Sequence, residues 1–242
     1  MSTAKAIGHM LGGMYALPHR VAYAMAKPVF GPDRAFVAAS ERMAKAPGHV
    51  GVYARQAFYR AALDRVGVDI YFGFMSVFSK RQATLGDNVY IGRFCSIGWA
   101  AIGNHVMLAD AVQILSGARQ HGVETKAAPL QDNAQSFSQV SIGAGAWLGS
   151  GCIVMADVGA NAIVGAGAVV TRPVPAGVKV AGVPARVIGH VAAAGGPEVV
   201  SAGSGAPTSA PTGESKNAST SSPNVQSHES DAESAAGAKV AR

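Results

Sequence analysis

An apolar residue recurs every six positions in this chain, in two blocks. The first runs Leu85, Ile91, Ile97 and then, one residue short, Ile102, Leu108, Ile114; the second runs Ile142, Leu148, Val154 and then Val158, Val164, Val170. Most of these residues precede a Gly, as at Leu85-Gly86, Ile91-Gly92, Ile142-Gly143 and Val164-Gly165. Four places after the apolar residue stands a small or β-branched one: Val89, Cys95, Val106, Val112, Ala146, Cys152, Ala162, Ala168. A helix repeats at about 3.6 residues and a flat strand at 2, so neither produces this spacing. Short strands wound into a solenoid do, with one inward apolar residue per face and, on this reading, Gly where the chain must turn sharply. The predicted fold is mainly β, a parallel β-helix.

The second block carries more than the repeat. Ala146-Trp147-Leu148-Gly149, Gly165-Ala166-Gly167, Val170-Thr171-Arg172 and Gly182-Val183-Pro184-Ala185-Arg186 follow one another within Ile142–Ile188. In this order the segments resemble the coenzyme-binding half of the hexapeptide-repeat acyltransferases, and the resemblance covers roughly residues 70 to 190. It implies a left-handed β-helix of triangular section, assembled as a homotrimer with sites between subunits. It also implies acetyl-CoA as acyl donor. Within that resemblance Trp147 packs beside the pantetheine path, and the backbone of Gly149, Ser150 and Ala166 meets its amides. Thr171 and Arg172 contact the distal part of the coenzyme. Arg186 faces the nucleotide phosphates, for which a guanidinium's fixed fork of donors is suited.

Composition divides the chain into a helical region over 1–68, the β-helix over 69–192 and a tail over 193–242. Asp33 reads as the N-cap of a helix through Lys45, ended by Pro47-Gly48. A second helix is predicted over 52–66, with Tyr53, Ala57, Tyr59 or Arg60, Leu63 and Val66 at helical spacing and Arg55, Arg60 and Arg65 as its basic residues. Its aromatics are expected to pack on the first coil, which is predicted to begin near Ile70 and to be interrupted over 80–84. The tail, rich in Gly, Ala, Ser, Thr and Pro without apolar period, is expected to be disordered.

The net charge of +6 comes without a nucleic-acid motif or a dense Lys/Arg run, so no nucleic-acid partner is predicted. No uninterrupted apolar run is long enough to span a bilayer. Residues 6–17 lack a convincing cleavage site, and the cytoplasm is the expected compartment. A peripheral membrane contact through the basic amphipathic surface of the second predicted helix, helped by Lys5, His19, Arg20 and Lys27, stays open as the alternative to packing on the first coil. Cys95 and Cys152 occupy the small-residue position of a hexad and read as core.

Acyl transfer to a hydroxyl needs a base for the acceptor proton and donors for the developing oxyanion. The resemblance assigns the first role to a His at the end of a coil beside a large loop, and the second to backbone amides, with direct attack and no covalent intermediate. The largest break in the repeat lies between Ile114 and Ile142, and of seven histidines only His121 stands at its start. Counted by hexads, the family's base position falls on Arg119, whose guanidinium stays protonated. His121 is the candidate base, and Arg119 and Lys126 belong to the acceptor loop that runs to Phe137. Between Ile70 and Ile188 only His105 and His121 occur, too few for the three-His zinc site of some related β-helices, and no metal is expected. The leading reading is transfer of acetyl to a sugar or polysaccharide-precursor hydroxyl. The alternatives are a scaffold that has lost its base, or transfer to a small-molecule amine or hydroxyl.

Overall fold

Three helices lead into a solenoid of very short parallel strands, and the computed structural model describes residues 3–118 and 136–191. The helices are α1 (Thr3–Phe30), α2 (Pro32–Ala44) and α3 (Gly48–Ala62). The first face of the solenoid carries β1 (Arg65–Val66), β4 (Thr84–Leu85), β7 (Ala100–Ile102) and β10 (Val140–Ile142). Single bridges from Ile142 to Val158 and on to Val174 extend it. The second face stacks β2 (Tyr71–Phe72), β5 (Tyr90–Ile91), β8 (Met107–Leu108), β11 (Trp147–Leu148), β13 (Ile163–Val164) and β15 (Val178–Ala181). Antiparallel β16 (Arg186–His190) closes it. The third face holds β3 (Val77–Phe78), β6 (Ser96–Ile97), β9 (Gln113–Ile114), β12 (Ile153–Val154) and β14 (Val169–Val170).

The six-residue rhythm is the inward ladder of all three faces. Leu85, Ile91, Ile97, Ile102, Leu108, Ile114, Ile142, Leu148, Val154, Val158, Val164 and Val170 are all buried, and register pairs such as Leu85 with Ile102 stack like on like. The small positions, Cys95 and Cys152 among them, are buried at the corners. Burial pushes the Cys152 thiol up to about 12 and raises that of Cys95.

The repeat glycines do a different job from the one expected of them. Gly92, Gly103 and Gly149 do not have positive φ. A Cβ added at Gly149 would stand 2.5 Å from the Ala166 nitrogen and 2.8 Å from the Val164 carbonyl oxygen in the next coil. These glycines let coils approach closely. The left-handed residue comes two places later, at Asn88, Phe94, His105, Ala111, Gly145, Gly151, Asn161 and Gly167, immediately before the buried small residue. Most of these are not glycine, because one left-handed residue costs little beside a hydrogen-bonded stack of coils.

The helical region differs from the sequence reading in several respects. Gly31, not Asp33, is the N-cap of α2, with Pro32 at its first position, where a missing N–H is no loss. Asp33 instead accepts a 3.2 Å hydrogen bond from Arg81 Nε. The next helix begins at Gly48 and stops at Ala62, because Leu63 turns extended and Arg65–Val66 already pairs as β1 with β4. The solenoid therefore starts before Ile70, and Lys80–Gln82 form a corner of it ahead of β4 rather than an interruption. Tyr53 packs on α1, its ring 4.7 Å from His9; Tyr59 is the residue that plugs the solenoid's open end, with Phe58 packed behind it against Tyr23.

That plug is specific. The Tyr59 ring lies 4.9 Å from those of both Phe72 and Phe78, and its hydroxyl is 2.8 Å from Ser40 Oγ, which accepts the Phe78 amide at 2.9 Å. Burial pushes the Tyr59 phenol up to about 12. Arg55, named from the sequence only as one of the second predicted helix's basic residues, is 1% exposed. Its Nε donates to the Phe72 carbonyl at 3.0 Å and its Nη1 to that of Ala46 at 2.6 Å, tying the end of α2 to the first coil. The Ala46 carbonyl lies just beyond the negative end of the α2 dipole, which favours a cation there. Desolvation nonetheless lowers its pKa.

Candidate functional site

The break in the repeat is an insertion at the edge between the third and first faces, after β9 and before β10. Its base is pinched shut. The Ser138 amide donates to the Ser116 carbonyl at 3.1 Å and the Val140 amide to the Trp99 carbonyl at 2.9 Å, so β10 resumes in register with β7. Buried Ser116 accepts the Trp99 amide at 2.8 Å through Oγ, and Gly117 turns the chain outward at φ +85°. Arg119, His121 and Lys126 lie outside the described residues.

A cavity of about 160 Å³ opens on the third face at this root. Outward Ser96 and Gln113 contribute to it, with Ser79 and Ser116, so its lining is largely hydroxyl and amide. Lys80 Nζ sits 3.5 Å from the centroid of the Phe137 ring at the cavity's rim. A cation over an aromatic face is held without being neutralised, leaving ammonium hydrogens available as donors. Lys80, Ser96 and Gln113 were not identified from the sequence. They come from different coils, and the signal that finds them is coil register: β3, β6 and β9 pair in register on the third face.

The residues assigned to the coenzyme occupy the margins of the same face. Gly149, Ser150 and Ala166 stack along the edge between the second and third faces, with the Gly167 amide donating to the Ser150 carbonyl at 2.9 Å. Ser150 and Ala166 are exposed, and Gly149 is buried. Trp147 lies just around that edge on the second face, between Met107 and Ile163, and is 45% exposed. Thr171 and Arg172 are exposed on the insertion's own edge, beyond β14.

The turn carrying Gly182 and Ala185 folds over the end of the third face. The Val169 amide donates to Gly182 at 3.0 Å, and the Ala185 amide to Val169 at 2.8 Å. Exposed Arg186 follows at the end of the solenoid. Among the described residues neither Arg172 nor Arg186 forms an ion pair, so both guanidiniums present their full charge outward. One chain thus gathers Gly149, Ser150 and Ala166 and sets them across the third face from the insertion, Thr171 and Arg172. His105 is an exposed corner residue on the edge between the first and second faces. No cluster of three or more His, Cys, Asp or Glu suited to a metal occurs among the described residues.

No protein-family model matches the sequence, and no curated protein matches it. Solved structures do match by shape. A maltose O-acetyltransferase from Clostridium difficile 630 aligns over 66% of this chain and 87% of its own, with a TM-score of 0.59 and 24% identity. A galactoside acetyltransferase in complex with coenzyme A aligns over 63% and 77%, with a TM-score of 0.54 and 25% identity. A hexapeptide-repeat acetyltransferase complexed with acetyl coenzyme A, from Vibrio cholerae O1 biovar eltor, aligns over 66% and 89%, with a TM-score of 0.55 and 18% identity. The fold is that of the hexapeptide-repeat acetyltransferases.

Proposed function

We propose that this protein, sharing that fold, transfers an acetyl group from acetyl-CoA to a hydroxyl of a sugar or polysaccharide precursor. The observation that carries the reading is the hydroxyl- and amide-lined cavity at the root of the insertion, with the Gly149-Ser150-Ala166 edge across the same face. Two of the matching structures were solved with coenzyme A or its acetyl ester, and two of the matching proteins are named for sugars. Arg172 and Arg186 are suited to the coenzyme's phosphates, and Trp147 to the wall of its pantetheine path.

In the proposed reaction His121 takes the proton of the acceptor hydroxyl as its oxygen attacks the thioester carbonyl. Backbone amides hold the negative charge that gathers on the carbonyl oxygen. The new C–O bond forms, the C–S bond breaks, and the thiolate leaves to be protonated. Lys80 and Lys126 orient the acceptor. Outward Tyr71, Tyr90, Met107 and Trp147 form an apolar ladder on the second face, between 38% and 51% exposed, which suits burial between subunits of a homotrimer. Arg119, standing at the expected base position, favours a second reading in which the solenoid is a scaffold without chemistry.

Thiol release from acetyl-CoA against a panel of sugars, with His121→Ala and Arg119→Ala beside the wild type, separates the two. Release lost in His121→Ala and kept in Arg119→Ala is the expected result. A wild type that neither binds coenzyme A nor releases thiol with any acceptor refutes the enzyme and leaves the scaffold.

A further inference from the structure

Helix α1 is apolar on both sides, and only one side is used inside the fold. Gly8, Gly12, Ala16 and Tyr23 face α3, and Gly12 is in close contact with the backbone at Tyr53 and Ala54. The outer side presents Ile7, Met10, Met14, Val21, Met25 and Val29, each between 49% and 72% exposed, with Val21 also reaching the mouth of a cavity between α1 and α3. At helical spacing these side chains form one stripe along a helix about 42 Å long. Single exposed apolar residues are ordinary, but a continuous stripe of this length is a contact surface.

Charge identifies what it contacts. Helix α1 holds Lys5, Arg20 and Lys27 and no Asp or Glu. Residues 1–68 contain nine Lys or Arg against three Asp or Glu, while residues 69–242 contain eleven of each, so the whole net charge of +6 lies in the helical region. Lys5 is paired with Asp69, but Arg20 and Lys27 are exposed along one border of the stripe, two turns apart. They rim a cavity of about 290 Å³ between α1 and α3, floored by Phe58 and Ala61, with Lys27 Nζ 4.3 Å over the Tyr23 ring. Two helices of this kind meeting across a two-fold axis would bring the same cations together with no carboxylate on α1 to offset them. An anionic surface neutralises them. No helix among the described residues is long and apolar enough to cross a membrane.

We propose that α1 lies in the plane of an anionic lipid surface, its Ile/Met/Val stripe among the upper acyl chains. Arg20 and Lys27 then sit at headgroup phosphates beside the α1–α3 cavity. This goes beyond the acetyl-transfer reading and does not depend on it, because it is read by binding alone.

The test is flotation of the full-length protein with vesicles of phosphatidylcholine alone, or of phosphatidylcholine with phosphatidylglycerol. Wild type floats with the anionic vesicles, and added salt releases it. Met14→Asp with Val21→Asp abolishes flotation. Arg20→Glu with Lys27→Glu weakens it by about thirtyfold or more, since each cation near such a surface contributes about a factor of five. Circular dichroism checks that these surface variants stay folded, and light scattering reports their mass. Failure of the wild type to float, or flotation unchanged in Met14→Asp/Val21→Asp, overturns the proposal. A fall in oligomer mass in that variant, with no vesicle binding by wild type, assigns the stripe to a second copy of the chain instead.

Discussion

Gly149 and Gly151 share one corner of the solenoid, and replacing each by Ala separates two reasons for glycine. At Gly151, φ is +68° and an added Cβ meets nothing within 4 Å. Ala there costs about 1–2 kcal/mol for the left-handed backbone, partly offset by a less flexible unfolded chain. Ala111 already holds the equivalent position one coil below, at φ +59°. At Gly149 the Cβ would lie 2.5 Å from the Ala166 nitrogen, where ordinary contact begins near 3.4 Å, so backbone must move by the difference. That displacement strains the 2.8 Å bond from the Gly149 amide to the Val164 carbonyl. Overpacking of about 1–3 kcal/mol, added to about 1–3 kcal/mol for an inter-coil bond lost in a buried stack, gives about 2–6 kcal/mol. Urea denaturation followed by circular dichroism, with wild type, Gly149→Ala and Gly151→Ala under one buffer, measures both. Equal losses, or a larger loss for Gly151→Ala, would refute close approach as the reason for the repeat glycines.

Arg55→Met strands the carbonyls of Phe72 and Ala46 inside the protein while relieving the desolvation of a charge. The net expected loss is about 2–4 kcal/mol, read as a lower urea midpoint. The Tyr59 phenol, ordinarily at 10.0, and the Cys152 thiol, ordinarily at 9.0, both hold their protons to about 12 in the folded protein. Their stabilising effect is therefore complete below pH 9 and is lost as pH climbs toward 12; Tyr59 accounts for about 3 kcal/mol of that loss. Urea midpoints across this range should fall less steeply above pH 10 in Tyr59→Phe, and the native thiols should resist a thiol reagent at pH 8. Arg172→Ala with Arg186→Ala should raise the KM for acetyl-CoA by about tenfold or more with little change in kcat, the pattern of lost uniform binding; an unchanged KM removes both from the coenzyme site.

The inward ladder was legible because burial on three faces imposes its own period, and a period survives in sequence. What glycine does within that period was not, since contact between coils depends on residues about one full coil away in sequence. Helix α1 falls in the region read as helical, but the need for Gly12 was not legible, since it arises from the closeness of Tyr53 and Ala54. The burial of Arg55 was not legible because charge is usually solvated; three-dimensional proximity to open carbonyls at the end of α2 places it inside. At the site, the repeat located the insertion and the Gly149–Ala166 edge. Lys80, Ser96 and Gln113 could not be found by motif, because they meet only through the stacking of coils.

The closed base of the insertion has an evolutionary consequence. With Ser138 bonded back to Ser116, Ile142 takes its place above Ile102 whatever the length or composition of the segment between them. The segment is a cassette plugged into a fixed socket: it can be exchanged between relatives or rebuilt in the laboratory while the solenoid keeps its register. On the proposed acetyl-transfer reading, acceptor preference can then drift quickly on a chassis that changes slowly.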